Sequence, residues 1–489
     1  MIERAYVSDT ITNNIIKTLD RGINYLIGSE MGSGKNYWVR NVLLPFASNA
    51  NKRTLILSHR SITRDQQNTH LYYYEQQQLR QFRGGMFLNI TYQELENKII
   101  RNDFDLNYYD FIVCDECHYF TKDSNMNPRV ETSFDWLNKN TNAVKFFLTG
   151  TYKSFMYLPW DNLTQLKEAD YFNNNCEEIY GYKNIEKIKP IIEEQVINGK
   201  KVMMLFSKIN EGKQFINSTL NNSNLLISNN SSDNDDYSNI VKNQSFNTDI
   251  LVTTSLMCEG VEIKDTPVET VVIDDILDFE LMAQTLARVR DRKVKLYYKK
   301  PSHQKIINRY VKYRNLLESI EEFESIGAIE FVKKYGDESI KKSHSFLNVI
   351  NVIDPVSRQE YNQLKLHKCN VASIQYQHDM YLKMLDNGFE KCLEEYFPST
   401  PIYDYDMLLS QELIESKILE DFIEKRLFKD DQQRLKSLLV REYGFKKSSL
   451  SSINKEFESK NIAYILKSKK ERSRNDENYN KNYWLLENK

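Results

Sequence analysis

The chain opens with short apolar runs separated by longer polar or amphipathic stretches. Such runs begin at Tyr25, Thr54, Met86, Phe111 and Phe146. They are continuous rather than alternating, so they predict strands buried on both faces of a parallel sheet, with covering helices between them. Residues 156–190 contain Pro159, Asn173 and Gly181 and predict a connection. A second alternating series follows, with a helix over 185–198 and strands over 201–206, 225–227, 250–253, 268–273 and 294–298. Within it the Asn/Ser/Asp-rich residues 228–236 predict an exposed loop. The pattern implies two α/β lobes of parallel sheets with helices on both faces, over residues 1–155 and 156–302.

After residue 303 the apolar period changes to three and four. Helices are predicted over 306–323, 361–397 and 411–428, with 341–355 as a connector, giving a mainly helical accessory region over 303–428. Its frequent aromatics, at helical spacing, read as core. The last segment, 429–489, reads differently. Two short helices, 433–443 and 448–460, meet at Gly444, and strands at 463–466 and 483–486 flank a polar hairpin. That succession predicts a winged helix. Its hairpin carries Lys467, Lys469, Lys470, Arg472 and Arg474 against Glu471, a wing suited to touching phosphates.

Candidate chemistry gathers at the ends of the predicted strands. Gly28-Ser29-Glu30-Met31-Gly32-Ser33-Gly34-Lys35-Asn36 follows one strand and precedes a helix over 37–44, which is the context of a P-loop. There the backbone N–H groups of Met31, Gly32, Ser33, Gly34, Lys35 and Asn36 would cradle phosphates, and Lys35 would reach the β/γ-phosphates. Ser29 stands where a first glycine is usual, and Asn36 where Ser or Thr offers Mg²⁺ a hydroxyl; an amide carbonyl can also ligate that ion. Asp115 and Glu116 end the apolar run 111–114, at the carboxyl edge where α/β sheets place ligands. Asp115 is suited to holding Mg²⁺ through water, and Glu116 to orienting or deprotonating an attacking water.

With Asp115-Glu116-Cys117-His118 as a DExH box, the chain resembles the superfamily 2 DEAD/DEAH-like helicases and translocases over about residues 20–300. A weaker likeness, in Ser58 to Arg60 and the Arg-Val-Arg ending at Arg290, is to viral and phage origin-binding replication helicases. The resemblance implies two tandem RecA-like lobes, use of ATP and Mg²⁺, and nucleic acid as partner. It implies further that Ser58, His59, Arg60, Thr91 and Thr254 contact the nucleic-acid backbone, that Thr149 and Thr151 couple hydrolysis to movement, and that His118 belongs to the catalytic set. Gly260 and Glu262 would lie at the nucleotide, with Glu262 replacing the usual Asp. In Gln284-Thr285-Leu286-Ala287-Arg288-Val289-Arg290, Arg288 would be an arginine finger; a second arginine is expected at position 291, which is Asp291, leaving Arg290 or Arg292 for that role. Read as residues alone, Gln284 and Arg288 lie four apart on a helix-like segment, 279–290, and so share one face. An arginine projected from the second lobe could then meet a γ-phosphate held by the first.

Composition adds few constraints. Net charge is −2 over 489 residues, so any surface for nucleic acid must be local. Six cysteines without disulfide-like spacing suggest a reducing compartment, and Cys114 and Cys117 read as packing residues. No signal-like apolar core or membrane-spanning run is visible, so a cytoplasmic location is expected, or a nuclear or viral-factory one in a eukaryotic host. The expected function is an ATP-driven DNA motor, with DNA favoured over RNA because of the winged helix, and with replication proteins as further partners. A non-motor DNA-binding initiator with an ATP switch, and an RNA helicase, are the alternatives.

Overall fold

The computed structural model describes residues 6–29, 32–59, 87–102, 108–168, 175–219, 221–227, 234–255, 263–264, 267–289, 292–336, 340, 344–353, 360–441, 443–446 and 448–489. They fold as two compact units, one of residues 1–179 and 190–401, the other of 180–189 and 402–489.

Six parallel strands form the first sheet: β1 (Asn24–Gly28), β2 (Thr54–Ser58), β3 (Phe87–Thr91), β4 (Phe111–Asp115), β5 (Val144–Thr149) and β6 (Leu163–Glu168), in the order β3-β2-β4-β5-β1-β6. Strands β1, β2, β4 and β5 are buried along their whole length, because helices cover both faces. Alternate residues serve the two cores. Leu26, Ile112, Cys114 and Phe147 pack to one side, while Tyr25, Ile27, Val113 and Phe146 pack to the other. Parallel pairing aligns Gly28 with Thr149, Asp115 with Leu148 and Ser58 with Thr91, so every strand-end motif emerges on one edge. Strand β6, from the stretch read as a connection, extends this sheet beside β1.

The helix after β1 begins at Lys35, widens to a π-turn over Val39–Leu43 and resumes over Leu44–Asn49. Pro45 in the resumed first turn has no N–H to donate backwards, and the widening lies just before it. Trp38 anchors this helix. It is fully buried, sets its indole edge-on to Phe146 with centroids 5.1 Å apart, and donates to the Ile11 carbonyl at 2.6 Å. Trp38→Ala removes both the packing and the hydrogen bond, and should lower unfolding stability by about 3–5 kcal/mol in a denaturant titration.

The second sheet contains β7 (Cys176–Tyr182), β8 (Lys201–Phe206), β9 (Ser223–Leu226), β10 (Ile250–Thr253), β11 (Val268–Asp274) and β12 (Val294–Lys299), ordered β7-β12-β11-β8-β10-β9. The pairings of β9 to β10, β10 to β8, β8 to β11 and β11 to β12 are all parallel. Two tandem lobes of the RecA kind are thus present.

The accessory region differs from its sequence reading. Residues within 341–355 and 361–366, expected as connector and helix, form an antiparallel hairpin of β13 (Leu347–Ile353) and β14 (Glu360–Leu366). Leu347, Leu364 and Leu366 pack with Ile320, Phe323 and Phe331, so cross-strand pairing over a helix outweighs the helical spacing. The flanking helices are His303–Tyr335, interrupted at Gly327, then Lys368–Asn387 and Phe389–Tyr396.

In the second unit, β15 (Ile402–Asp404) precedes the helix Tyr405–Asp421, β16 (Arg426–Leu427), the helices Lys429–Arg441 and Leu450–Ser459, and the hairpin of β17 (Tyr464–Lys470) and β18 (Asn482–Asn488). The order helix, strand, helix, helix, strand, strand, with sheet order β16-β18-β17, is a winged-helix arrangement. Ile414, Leu435, Leu439, Ile453, Phe457 and Leu486 are its core. Asn454 clamps the last helix to the wing, exchanging both amide hydrogen bonds with the Leu466 backbone at 2.9 Å.

Candidate nucleotide site between the two lobes

At the end of β1 the chain turns tightly. A Cβ on Gly28 would stand 2.8 Å from the Tyr152 ring, so a side chain is excluded there. Ser29 is buried and its hydroxyl meets that of Ser33 at 2.8 Å, bracing the loop where a glycine is usual. Gly32 and Gly34 have φ near +80°, a left-handed backbone that glycine adopts without steric cost. The Lys35 ammonium donates to the Ser29 carbonyl at 2.6 Å, folding back over the loop. Asn36 is exposed on the first turn of the helix.

Across β5 lies the DExH segment. Asp115 is 3% exposed, and its carboxylate accepts from the Glu116 N–H at 3.1 Å. Glu116 has φ +49°, uncommon for a side-chain-bearing residue, and this turns its carboxylate back over the sheet edge. There Glu116 Oε2 is 3.5 Å from His118 Nδ1, and Oε1 is 3.7 Å from the Arg288 guanidinium of the other lobe. Burial would raise this carboxyl's pKa. The charges of His118, Arg288, Lys35 and His59 outweigh burial and hold it below the usual glutamate value.

A hydrogen-bond chain continues from the DExH histidine. His118 Nδ1 lies 3.1 Å from Thr149 Oγ1, the Thr151 N–H donates to that oxygen at 3.0 Å, and Gln284 Nε2 donates to Thr151 Oγ1 at 2.9 Å. Thus Thr149 and Thr151 of the first lobe and Gln284 of the second share one buried network. Arg288 and Gln284 do not share a helix face as expected. The helix spans only Phe279–Leu286, and Arg288 follows it in a turn whose carbonyl accepts from Ile263 N–H at 2.7 Å. Both side chains nonetheless reach the first lobe.

Other expectations fare differently. Ser58 and His59 are buried, Ser58 donating to Asn89 Oδ1 at 3.0 Å and His59 Nε2 lying 3.2 Å from Asp123. Their side chains brace the sheet edge and the DExH helix. Thr91 caps the helix Tyr92–Ile100, accepting from Glu94 N–H at 3.1 Å. Thr254, half-buried, follows β10. Met31, Arg60, Gly260, Glu262 and Arg290 lie outside the described residues. Cys114 and Cys117 are packed in the first lobe's core, where burial pushes both thiols up.

Lys122 belongs to no local motif, yet it crosses to the second lobe and lies 2.5 Å from Asp278 and 3.4 Å from Glu280. In the second unit, Lys467 and Lys469 both pair with Glu487, while Lys470 and Arg472 are exposed. Glu471 is buried and tied to Arg426 at 2.5 Å, closing the wing's base.

Among the described residues, no helix is long and apolar enough to cross a membrane. Residues 3–154 match the family model of the type III restriction enzyme res subunit. Among solved structures, the chain is similar to S. cerevisiae Dbp5 bound to RNA and ADP BeF3, with 13% identity over 62% of this chain and 83% of that one, at a TM-score of 0.45. A single-residue variant of Dbp5 in the same bound state gives 14% identity, the same coverages and a TM-score of 0.44. No curated protein matches the chain. The P-loop, the DExH box and Arg288 meet where two parallel-sheet lobes touch, and the family match covers the lobe that holds the first two.

Proposed function

We propose that this chain is a nucleic-acid-dependent ATPase that acts on DNA, as a helicase or translocase in replication of a viral, phage or mobile-element genome. The observation that supports DNA is the winged-helix unit, whose hairpin exposes Lys470 and Arg472. ATP closes the two lobes on a strand, and hydrolysis reopens them. Lys35 grips the β/γ-phosphates, Glu116 positions and deprotonates the attacking water, and Arg288 meets the charge that develops on the γ-phosphate. Gln284, Thr151, Thr149 and His118 relay lobe closure to the DExH box. Backbone contacts with the strand fall to Ser58, Arg60, Thr91 and Thr254, so movement is largely independent of sequence.

Mg²⁺ fits this site by donor chemistry. The Asp115 carboxylate is a hard oxygen ligand fixed at the strand end by the Glu116 N–H, and Asn36 offers an exposed amide carbonyl in the first turn after the P-loop. When bound, the ion neutralises phosphate charge. Asp115 and Asn36 would hold it.

The test is steady-state ATP turnover with single-stranded DNA, duplex DNA and single-stranded RNA. Stimulation by DNA is expected; stimulation by RNA alone would overturn the choice of DNA. The wing makes its own prediction. Lys470→Ala and Arg472→Ala should each weaken duplex binding several-fold and lower the slope of log affinity against log salt by about 1, read in fluorescence-anisotropy titrations. Lys467→Ala and Lys469→Ala should do less, because Glu487 already neutralises these ammonium groups in part.

A further inference from the structure

Three parts of the first unit meet at one buried point. Lys122 follows the DExH box on the short helix Tyr119–Lys122. Asp278 and Glu280 open the second-lobe helix Phe279–Leu286 that leads to Gln284 and Arg288, and Asp278 caps it by accepting from Leu281 N–H at 3.2 Å. The accessory helices supply Tyr376 and Tyr396, whose hydroxyls lie 3.3 Å apart.

The accessory segment holds both lobes. At its start, Lys368 pairs with Asp135 at 2.8 Å and Asn370 donates to Asn125 at 2.8 Å, both on the first lobe. Further along, Tyr157 donates to Asp379 at 3.0 Å. Its last helix packs Phe389 and Tyr396 against Phe279 of the second lobe, with centroids 5.0 Å apart in each case.

Within this junction Glu280 is only 2% exposed, and its carboxylate faces the Lys122 ammonium and the Tyr376 hydroxyl. Lys122 at 3.4 Å is the cation facing it. Burial raises the Glu280 pKa, Asp278 adds to this, and Lys122 opposes both. The same carboxylate, with burial, pushes the Tyr376 and Tyr396 phenols up. An isolated buried charge is costly, so separating the lobes here would leave Glu280 without its cation. The arrangement favours one position of the helix that precedes Arg288.

We propose that Lys122 and Glu280, backed by Tyr376, form a buried latch that fixes the reach of Arg288 toward the γ-phosphate. They are positioning residues, and the proposal rests on Arg288 acting as the arginine finger. Arg288→Lys keeps the positive charge, should retain a measurable rate, and serves as the background for the test. In the otherwise unchanged chain, Lys122→Met should lower kcat about tenfold with KM for ATP within about twofold, since the phosphate-gripping residues are untouched. Adding Glu280→Gln should recover at least about threefold, because the more deeply buried of the two carboxylates that face Lys122 is then neutral, while Asp278 keeps access to water. In the Arg288→Lys background, Lys122→Met should cost less than about twofold, since its effect passes through the residue already altered.

Equal losses in both backgrounds, or no recovery with Glu280→Gln, would overturn the latch as a positioning device. A Lys122→Met chain that fails to fold would leave Tyr376→Phe, which removes only the hydroxyl. Its expected effect is a loss of about threefold in kcat, absent in the Arg288→Lys background, and an equal loss in both would overturn the latch. If Arg288→Lys itself costs nothing, the finger assignment falls, an outcome distinct from failure of the latch.

Discussion

Replacing Glu116 by Gln is expected to cut ATP turnover by about 10² to 10⁴ while leaving ATP binding within a few-fold, the range for losing a positioned general base. The carboxylate sits on a left-handed turn at the end of β4, and its two oxygens face His118 at 3.5 Å and Arg288 at 3.7 Å. Gln keeps that shape and loses the charge. Single-turnover hydrolysis beside equilibrium nucleotide titration separates the two effects. The pH profile supplies a sign check. A carboxylate whose pKa is held down is already ionised above the usual glutamate range. Its base form is lost only as pH falls through that depressed value, so the acid limb of kcat/KM should lie below the ordinary glutamate value. The stability it contributes follows the same rule, present above the unfolded-state pKa and lost as pH falls through the folded one.

Arg288→Ala should cost about 10³ or more in kcat, the scale of a finger that neutralises charge developing during phosphoryl transfer. Arg288 is 4% exposed and reaches across the lobe boundary, while Lys35 and Asp115 belong to the first lobe alone. ATP binding should therefore persist while chemistry stops. Arg288 also helps hold down the Glu116 pKa, so its removal should move the acid limb of any residual activity toward higher pH. A pH series on the Arg288→Ala chain checks this. A shift toward lower pH would contradict the pairing of Arg288 with Glu116.

Much of this site was legible because its residues are set by strand ends. Lys35, Asp115, Glu116 and Thr149 each follow a continuous apolar run, and parallel pairing alone brings such ends to one edge. The strands at Thr54, Phe111 and Lys201 were equally plain, since burial on both faces demands unbroken apolar residues. The winged helix was visible in the succession of two short helices and a basic hairpin. What escaped depends on pairings distant along the chain. Lys122 and Asp278 meet across 156 residues, and neither has a local motif. Residues 361–366 carried helical spacing but pair with β13. Ser58 and His59 sit at a strand end like Asp115 and Thr149, and are buried like them, through contacts with Asn89 and Asp123 that have no local motif. Periodicity reports which face is apolar; it is silent on which strand end is left open.

The structure of this chain with a non-hydrolysable ATP analogue and Mg²⁺ would decide the matter. Lys35, Asp115 and Arg288 should converge on the triphosphate, with Lys35 at the β/γ oxygens, Asp115 toward the ion and Arg288 within hydrogen-bond distance of the γ-phosphate. A nucleotide bound by the first lobe alone, with Arg288 turned away and the Gln284 to Thr151 hydrogen bond unchanged, would contradict the reading of this cleft as a two-lobed ATPase site.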